Sequence, residues 1–146
     1  MKYLLKINLL LFFIGSVFLC QSSYAKQPSK IARALFTTNI DNREPIDQIL
    51  ILSNKAKEVF FFSELRHFDG KTIIHKWIYN DKVESIVKFK VKGPRWRIYS
   101  KKEVNSDQLG KWSVIIQEEH GKSIKASVFR LVDDDTQQII LPLKEQ

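Results

Sequence analysis

Two arginines flank a tryptophan directly after a turn, in Gly93-Pro94-Arg95-Trp96-Arg97. A guanidinium offers two parallel donors to two oxygens, so paired arginines suit carboxylate, sulfate or phosphate. Lys88, Lys90, Lys101 and Lys102 lie close by and extend the pair into a basic strip from Lys88 to Lys102. The alternative is architectural: each arginine pairs with a structural acid, Glu44 or Glu64, and holds a corner of the domain. His75, Trp77 and Tyr79 alternate along one run. They form either an aromatic platform with a hydrogen-bonding imidazole or a core face with Trp77 packed between sheets. The expected ligand-contacting set is therefore Arg95, Arg97, Lys88, Lys90, Lys101, Lys102 and His75. The expected structural set is Arg43, Glu44, Glu64, Trp77, Trp96 and Trp112.

Catalytic and metal chemistry find little to use. His67, His75 and His120 sit in separate segments, and no Cys or His pair has zinc spacing. Asp133-Asp134-Asp135 are consecutive and lack the spaced ligands of an EF-hand, so they read as a solvated tail. No serine occupies a Gly-x-Ser-x-Gly elbow. Gly121-Lys122-Ser123 ends like a phosphate loop, but Ile116 stands where the earlier glycine is required. Glu64, Glu44 and Asp47 are the carboxylates that could pair for glycoside hydrolysis, a third and minor reading. The expectation is a chain with no catalytic residue, metal or cofactor.

Charge is unevenly spread. The chain has 24 Lys plus Arg against 16 Asp plus Glu, a net charge of +8. Residues 82–111 hold nine basic and three acidic residues, while the segments on either side nearly cancel. Such a patch can bind nucleic acid, acidic polysaccharide or a phospholipid surface. The alternative is that the lysines keep sheet edges soluble.

The elements that must carry these residues read as strands. Ile31–Thr38, Val59–Leu65, Lys71–Tyr79, Glu84–Val91, Arg95–Ser100, Lys111–Gln117 and Ser123–Val132 are expected strands, and Ile46–Ser53 is of uncertain type. The continuous apolar run around Phe60-Phe61-Phe62 predicts a central strand. Asp69-Gly70, Asn80-Asp81 and His120-Gly121 read as turns, the first as a hairpin. Parity places Ser85, Val87, Phe89 and Val91 inward and Lys88, Lys90 and Lys92 outward. It also turns Trp96 and Trp112 inward and Arg95 and Arg97 outward. Seven to eight short strands in a chain of this size predict an all-β antiparallel sandwich of Ig-like topology, with a small barrel as the alternative.

The beginning of the chain predicts export. Lys2 and Lys6 precede an apolar run from Leu9 to Leu19, and Ser23-Tyr24-Ala25 places small residues where a signal peptidase reads. A spanning helix needs roughly 20 apolar residues, more than this run supplies. Cleavage is expected after Ala25, giving a periplasmic or secreted domain that is peripheral to the membrane at most. Cys20 follows Leu19 instead of the small residue that lipidation needs, so it leaves with the leader. The remaining chain then has no cysteine and folds without disulfides. The expected organisation is a leader over 1–25, a polar spacer over 26–30, a β-sandwich over 31–132 and an acidic then apolar tail over 133–146. Export makes nucleic acid an unsuitable partner.

Several blocks carry a family resemblance. They are Phe36-Thr37-Thr38 with Arg43-Glu44-Pro45, Phe61-Phe62-Ser63-Glu64-Leu65, and Gly70 followed by His75-Lys76-Trp77. Val91-Lys92-Gly93-Pro94-Arg95-Trp96-Arg97, Ser100-Lys101-Lys102 and Gly110-Lys111-Trp112-Ser113-Val114 continue the pattern. Over roughly Ile31 to Val132 it resembles the family catalogued as domain of unknown function 2914, found in exported and membrane-linked proteins of Gram-negative bacteria. The acidic tail departs from that pattern. The resemblance implies an envelope location and brings no catalytic residues. The expected function is a non-enzymatic module binding an anionic envelope component or an envelope protein through the basic strip. An assembly module that docks by adding a strand to a sheet edge is the alternative.

Overall fold

Short alternating runs cut by turn residues produce strands throughout residues 25–143, the span that the computed structural model describes. The apolar leader and Cys20 lie outside the described residues. The strands are β1 (Lys30–Thr37), β2 (Ile40–Asp41), β3 (Glu44–Pro45), β4 (Asp47–Ser53), β5 (Glu58–Arg66) and β6 (Thr72–Tyr79). Then come β7 (Lys82–Lys90), β8 (Arg95–Glu103), β9 (Gly110–Glu118), β10 (Ser123–Val132) and β11 (Ile139–Pro142). The described chain is all-β, as its alternation predicts.

The strand count and arrangement match the Ig-like expectation only roughly. Nine strands join one sheet in the order β7-β6-β9-β10-β4-β1-β5-β8, with β11 added to β4. The sheet is mixed, because β10 runs parallel to β4. β4 is the hub. Ile51 lies between Arg130 and Ile139, and Ile49 lies between Phe36 and Ile140. β11 therefore takes one edge of β4, while β10 and β1 share the other. The apolar tail thus pairs onto the sheet.

The sheet curls so that its two halves face each other. His75 of β6 lies within hydrogen-bond distance of Ser63 of β5 and Ser100 of β8, strands remote from β6 along the ladder. Lys102 of β8 meets Glu84 of β7 at 3.5 Å, so a side-chain pair links the two terminal strands. Aromatic rings fill the space between the halves. Phe36 contacts Phe61, Phe129 and Trp77 at centroid distances of 4.9, 4.7 and 5.7 Å. Trp112 stacks on Tyr79 at 4.8 Å. Truncating one such ring typically costs about 3–5 kcal/mol.

Turn chemistry explains the connections, with one correction. Asn80 and Asp81 have φ of 44° and 64°, the backbone of a type I′ turn between paired β6 and β7. Asn42 and Arg43 repeat it, at 45° and 65°, between β2 and β3. Asp69-Gly70 is not a hairpin between partners: β5 pairs with β1 and β8, whereas β6 pairs with β7 and β9. The turn instead carries the chain from one half to the other. β5 is buried on both faces because it is central and covered. Val59, Phe61 and Leu65 face the core, and Phe62 and Glu64 are buried on the other side.

Candidate binding surface

The two expected residue sets mix once the strands are assembled. Register places Arg33 of β1, Glu64 of β5 and Arg97 of β8 abreast, with Arg66 and Arg95 paired beside them. Glu64 is almost fully buried beneath these side chains. Its Oε2 accepts from Arg33 Nε at 3.0 Å and Nη2 at 2.6 Å. Its Oε1 accepts from Arg95 Nε at 2.9 Å and lies 2.6 Å from Arg66 Nη2. Burial alone would raise this carboxyl, but the arginines outweigh it and hold Glu64 below the usual carboxylate range. A carboxylate held charged in this way suits architecture better than a general acid, which must carry a proton.

The β2–β3 hairpin brings a second carboxylate to the same place. Glu44 Oε2 accepts from Arg33 Nη2 at 2.8 Å, and Oε1 lies 2.9 Å from Arg97 Nε. The Arg97 Nε–H does not point along that line and makes no hydrogen bond. Arg43, at the hairpin tip, places its guanidinium 6.0 Å from the Trp96 ring. Arg43, Glu44, Glu64, Arg95, Trp96 and Arg97 are thus one cluster. Trp96 is half-buried, while Trp77 and Trp112 are fully buried.

The other members of the basic strip disperse. Lys101 pairs with Glu58 at 3.0 Å on the outer face of β8, and Lys102 turns toward Glu84. Lys88 and Lys90 lie on β7, at the far end of the ladder, near Glu119 and the Gly70 carbonyl. Proximity in sequence does not make Lys88 to Lys102 one surface, because β7 and β8 belong to opposite halves.

His75 requires a correction. It has no exposed surface and cannot meet a ligand from solvent. Ser63 Oγ lies 2.8 Å from Nε2 and Ser100 Oγ lies 2.9 Å from Nδ1. Trp77 Nε1 donates to the same Ser100 hydroxyl at 2.9 Å. Phe61 and Phe89 each pack 4.9 Å from the imidazole. Burial pushes the His75 pKa down to about 3, so the ring is neutral. One ring nitrogen then donates and the other accepts, which matches two hydroxyl neighbours.

A surface absent from the expected set appears on the outer face of β7, β6, β9 and β10. Register builds it in rows. Val83, Ile78, Ser113 and Val128 form one row; Ile86, Lys76, Ile115 and Ala126 form the next. Val83 and Ile86 are 55% exposed and Val128 is 50% exposed. Lys88 and Lys90 lie at one end of these rows, and the Lys111–Arg130 pair lies at the other. Among the described residues, Lys76, Lys111 and Arg130 have no acidic partner. Glu84, at the register shift between β6 and β7, is committed to Lys102. An aliphatic centre that holds Lys76 and is bounded at one end by Lys111 and Arg130 suits an anionic partner that also covers apolar area. The signal was present as parity: Lys76 alternates with buried His75 and Trp77, and Arg130 with buried Phe129 and Leu131. What was missing was the register that sets these strands side by side.

A further concavity lies elsewhere. A depression of about 670 Å³ lies between the Asn54–Glu58 and Glu103–Ser106 segments, and no expected site residue lines it.

No curated protein matches the chain. Residues 70–131 match the model of the family described as Protein of unknown function (DUF2914), a span that contains β6 to β9 and nearly all of β10.

Proposed function

We propose that the protein is a non-enzymatic module that holds an anionic envelope component, lipid or polysaccharide, on the outer face of β7-β6-β9-β10. The observation that carries this reading is the set of Lys76, Lys111 and Arg130, without acidic partners among the described residues, around exposed Val83, Ile86 and Val128. Arg95 and Arg97, by contrast, already face carboxylates. The leader pattern favours an envelope setting.

The test is binding of the purified protein to vesicles with and without anionic lipid, and to an acidic polysaccharide, across a salt series. Binding weakens severalfold as salt rises, because exposed charges are screened over about 8–10 Å at physiological strength. The double variant Lys76→Glu/Arg130→Glu loses at least tenfold in affinity, whereas Lys101→Glu on the opposite half changes it little. Salt-independent binding, or equal loss from both variants, rejects the reading.

A second reading rests on β11. Ile139, Ile140 and Leu141 are 39%, 38% and 41% exposed, and β11 has no second partner strand among the described residues. An edge of that kind is suited to docking by strand addition.

A further inference from the structure

The Arg33–Arg97 pair is bridged by a carboxylate that comes from outside the main sheet. Glu44 is 37% exposed at its side chain and sits on a hairpin held by only two ladder pairs. The base of that hairpin is pinned: Asp47 Oδ1 accepts from Thr38 N and Thr37 Oγ1, both at 2.8 Å. Its tip is strained, since Arg43 occupies the left-handed region at φ 65°. A pinned base and a strained, two-pair tip allow the tip to lift without unfolding the sheet beneath it.

The charge balance beneath the tip is uneven. Arg33, Arg43, Arg66, Arg95 and Arg97 gather there, and Glu44 and Glu64 are the carboxylates that meet them. Glu64 is buried and saturated by three of them. Glu44 leaves the buried Arg97 Nε–H without a hydrogen bond. A buried donor left unsatisfied costs about 1–3 kcal/mol, so an oxyanion able to reach both guanidinium groups would be held more tightly than the Glu44 carboxylate.

We propose that Arg33 and Arg97 form an oxyanion seat for a phosphate group, with Glu44 as a built-in occupant that a ligand displaces. The seat lies on the half of the sheet opposite the β7-β6-β9-β10 face and does not depend on it. The phosphate can be the free ion or an ester on a lipid headgroup or sugar.

The experiment measures phosphate binding to the whole protein by calorimetry and thermal unfolding, with chloride at matched ionic strength as the reference. Glu44→Ala is expected to bind inorganic phosphate at least tenfold more tightly than the parent and to gain a phosphate-specific rise in Tm. Glu44→Gln keeps the hairpin's volume and is measured alongside, so that a folding defect in one variant does not decide the result. Adding Arg97→Lys to either variant removes the gain, because an ammonium keeps the charge but loses the fork. Glycerol phosphate is run beside free phosphate: tighter binding of the ester assigns the seat to a headgroup or sugar phosphate, and equal binding assigns it to the bare ion. The proposal is overturned if both Glu44 variants respond to phosphate as the parent does, or if the gain survives Arg97→Lys.

Discussion

At the residue scale, two buried ionisable groups set how stability depends on pH. His75 takes a proton near its ordinary 6.5 when unfolded but only near about 3 when folded. Between those values the unfolded state binds more protons, so stability falls as pH falls. The contribution is fully present above the unfolded value and amounts to about 5 kcal/mol at its largest. Urea unfolding at pH 7 and pH 4 should show about 3 kcal/mol of that loss. His75→Phe should be less stable at pH 7, because the Ser63 and Ser100 hydroxyls lose their imidazole partner, yet flatter between pH 6.5 and 4.5. Glu64 has the opposite chemistry and the same sign: its folded pKa is lowered, so its stabilisation is present above the ordinary carboxylate value and is lost as acid protonates it. Glu64→Gln should cost about 3–5 kcal/mol at neutral pH, since it leaves three guanidinium groups without their shared counter-charge. Equal urea midpoints for Glu64→Gln and the parent would contradict this account.

At the scale of elements, turn chemistry and burial decide what the residues can do. Asp81 sits at φ 64° in the type I′ turn between β6 and β7 and is exposed. Asp81→Gly should stabilise the protein by about 1 kcal/mol, because glycine pays no Cβ penalty there, and denaturant midpoints will register it. The same reasoning made the Asn80-Asp81 hairpin legible, and it made Asp69-Gly70 misleading. Gly70 does adopt φ 76°, but its N–H donates to Val91 O, a contact between two crossover loops. A turn signal specifies a reversal, not which strand the chain will pair with afterwards. β8 continued beyond Ser100 to Glu103 because β5 supplies a ladder along its whole length, with Glu58 opposite Glu103. Lysines at 101 and 102 conceal that continuation in the sequence.

At the scale of the whole molecule, curling sorts one net positive chain into two different faces. On the β1-β5-β8 half, the outward arginines are answered by Glu44 and Glu64, and binding there requires displacing an internal acid. On the β7-β6-β9-β10 half, Lys76, Lys111 and Arg130 stand without acidic partners among the described residues, beside exposed aliphatic side chains. Long-range attraction should therefore originate mainly from the second face. The association rate with anionic vesicles should drop more for Lys111→Glu/Arg130→Glu than for Lys101→Glu/Lys102→Glu, measured by stopped-flow at low salt. Equal drops would mean that net charge alone steers the encounter.

The sequence by itself determined most strand positions, the all-β class, the inward face of Trp112 and the two acids that the arginines could meet. Those properties follow from period-2 alternation, local turn residues and the chemistry of guanidinium groups, all readable within a few neighbours. Only the tertiary structure decided that Arg95 and Arg97 are already paired, that His75 is sealed in the core, and that Lys76, Lys111 and Arg130 share a face. Register and curl bring together residues tens of positions apart, and those choices depend on which strand each edge finds. That is why the arginine pair, the most conspicuous cations in the sequence, is largely neutralised in the fold, while scattered lysines and one arginine on three strands form the open surface.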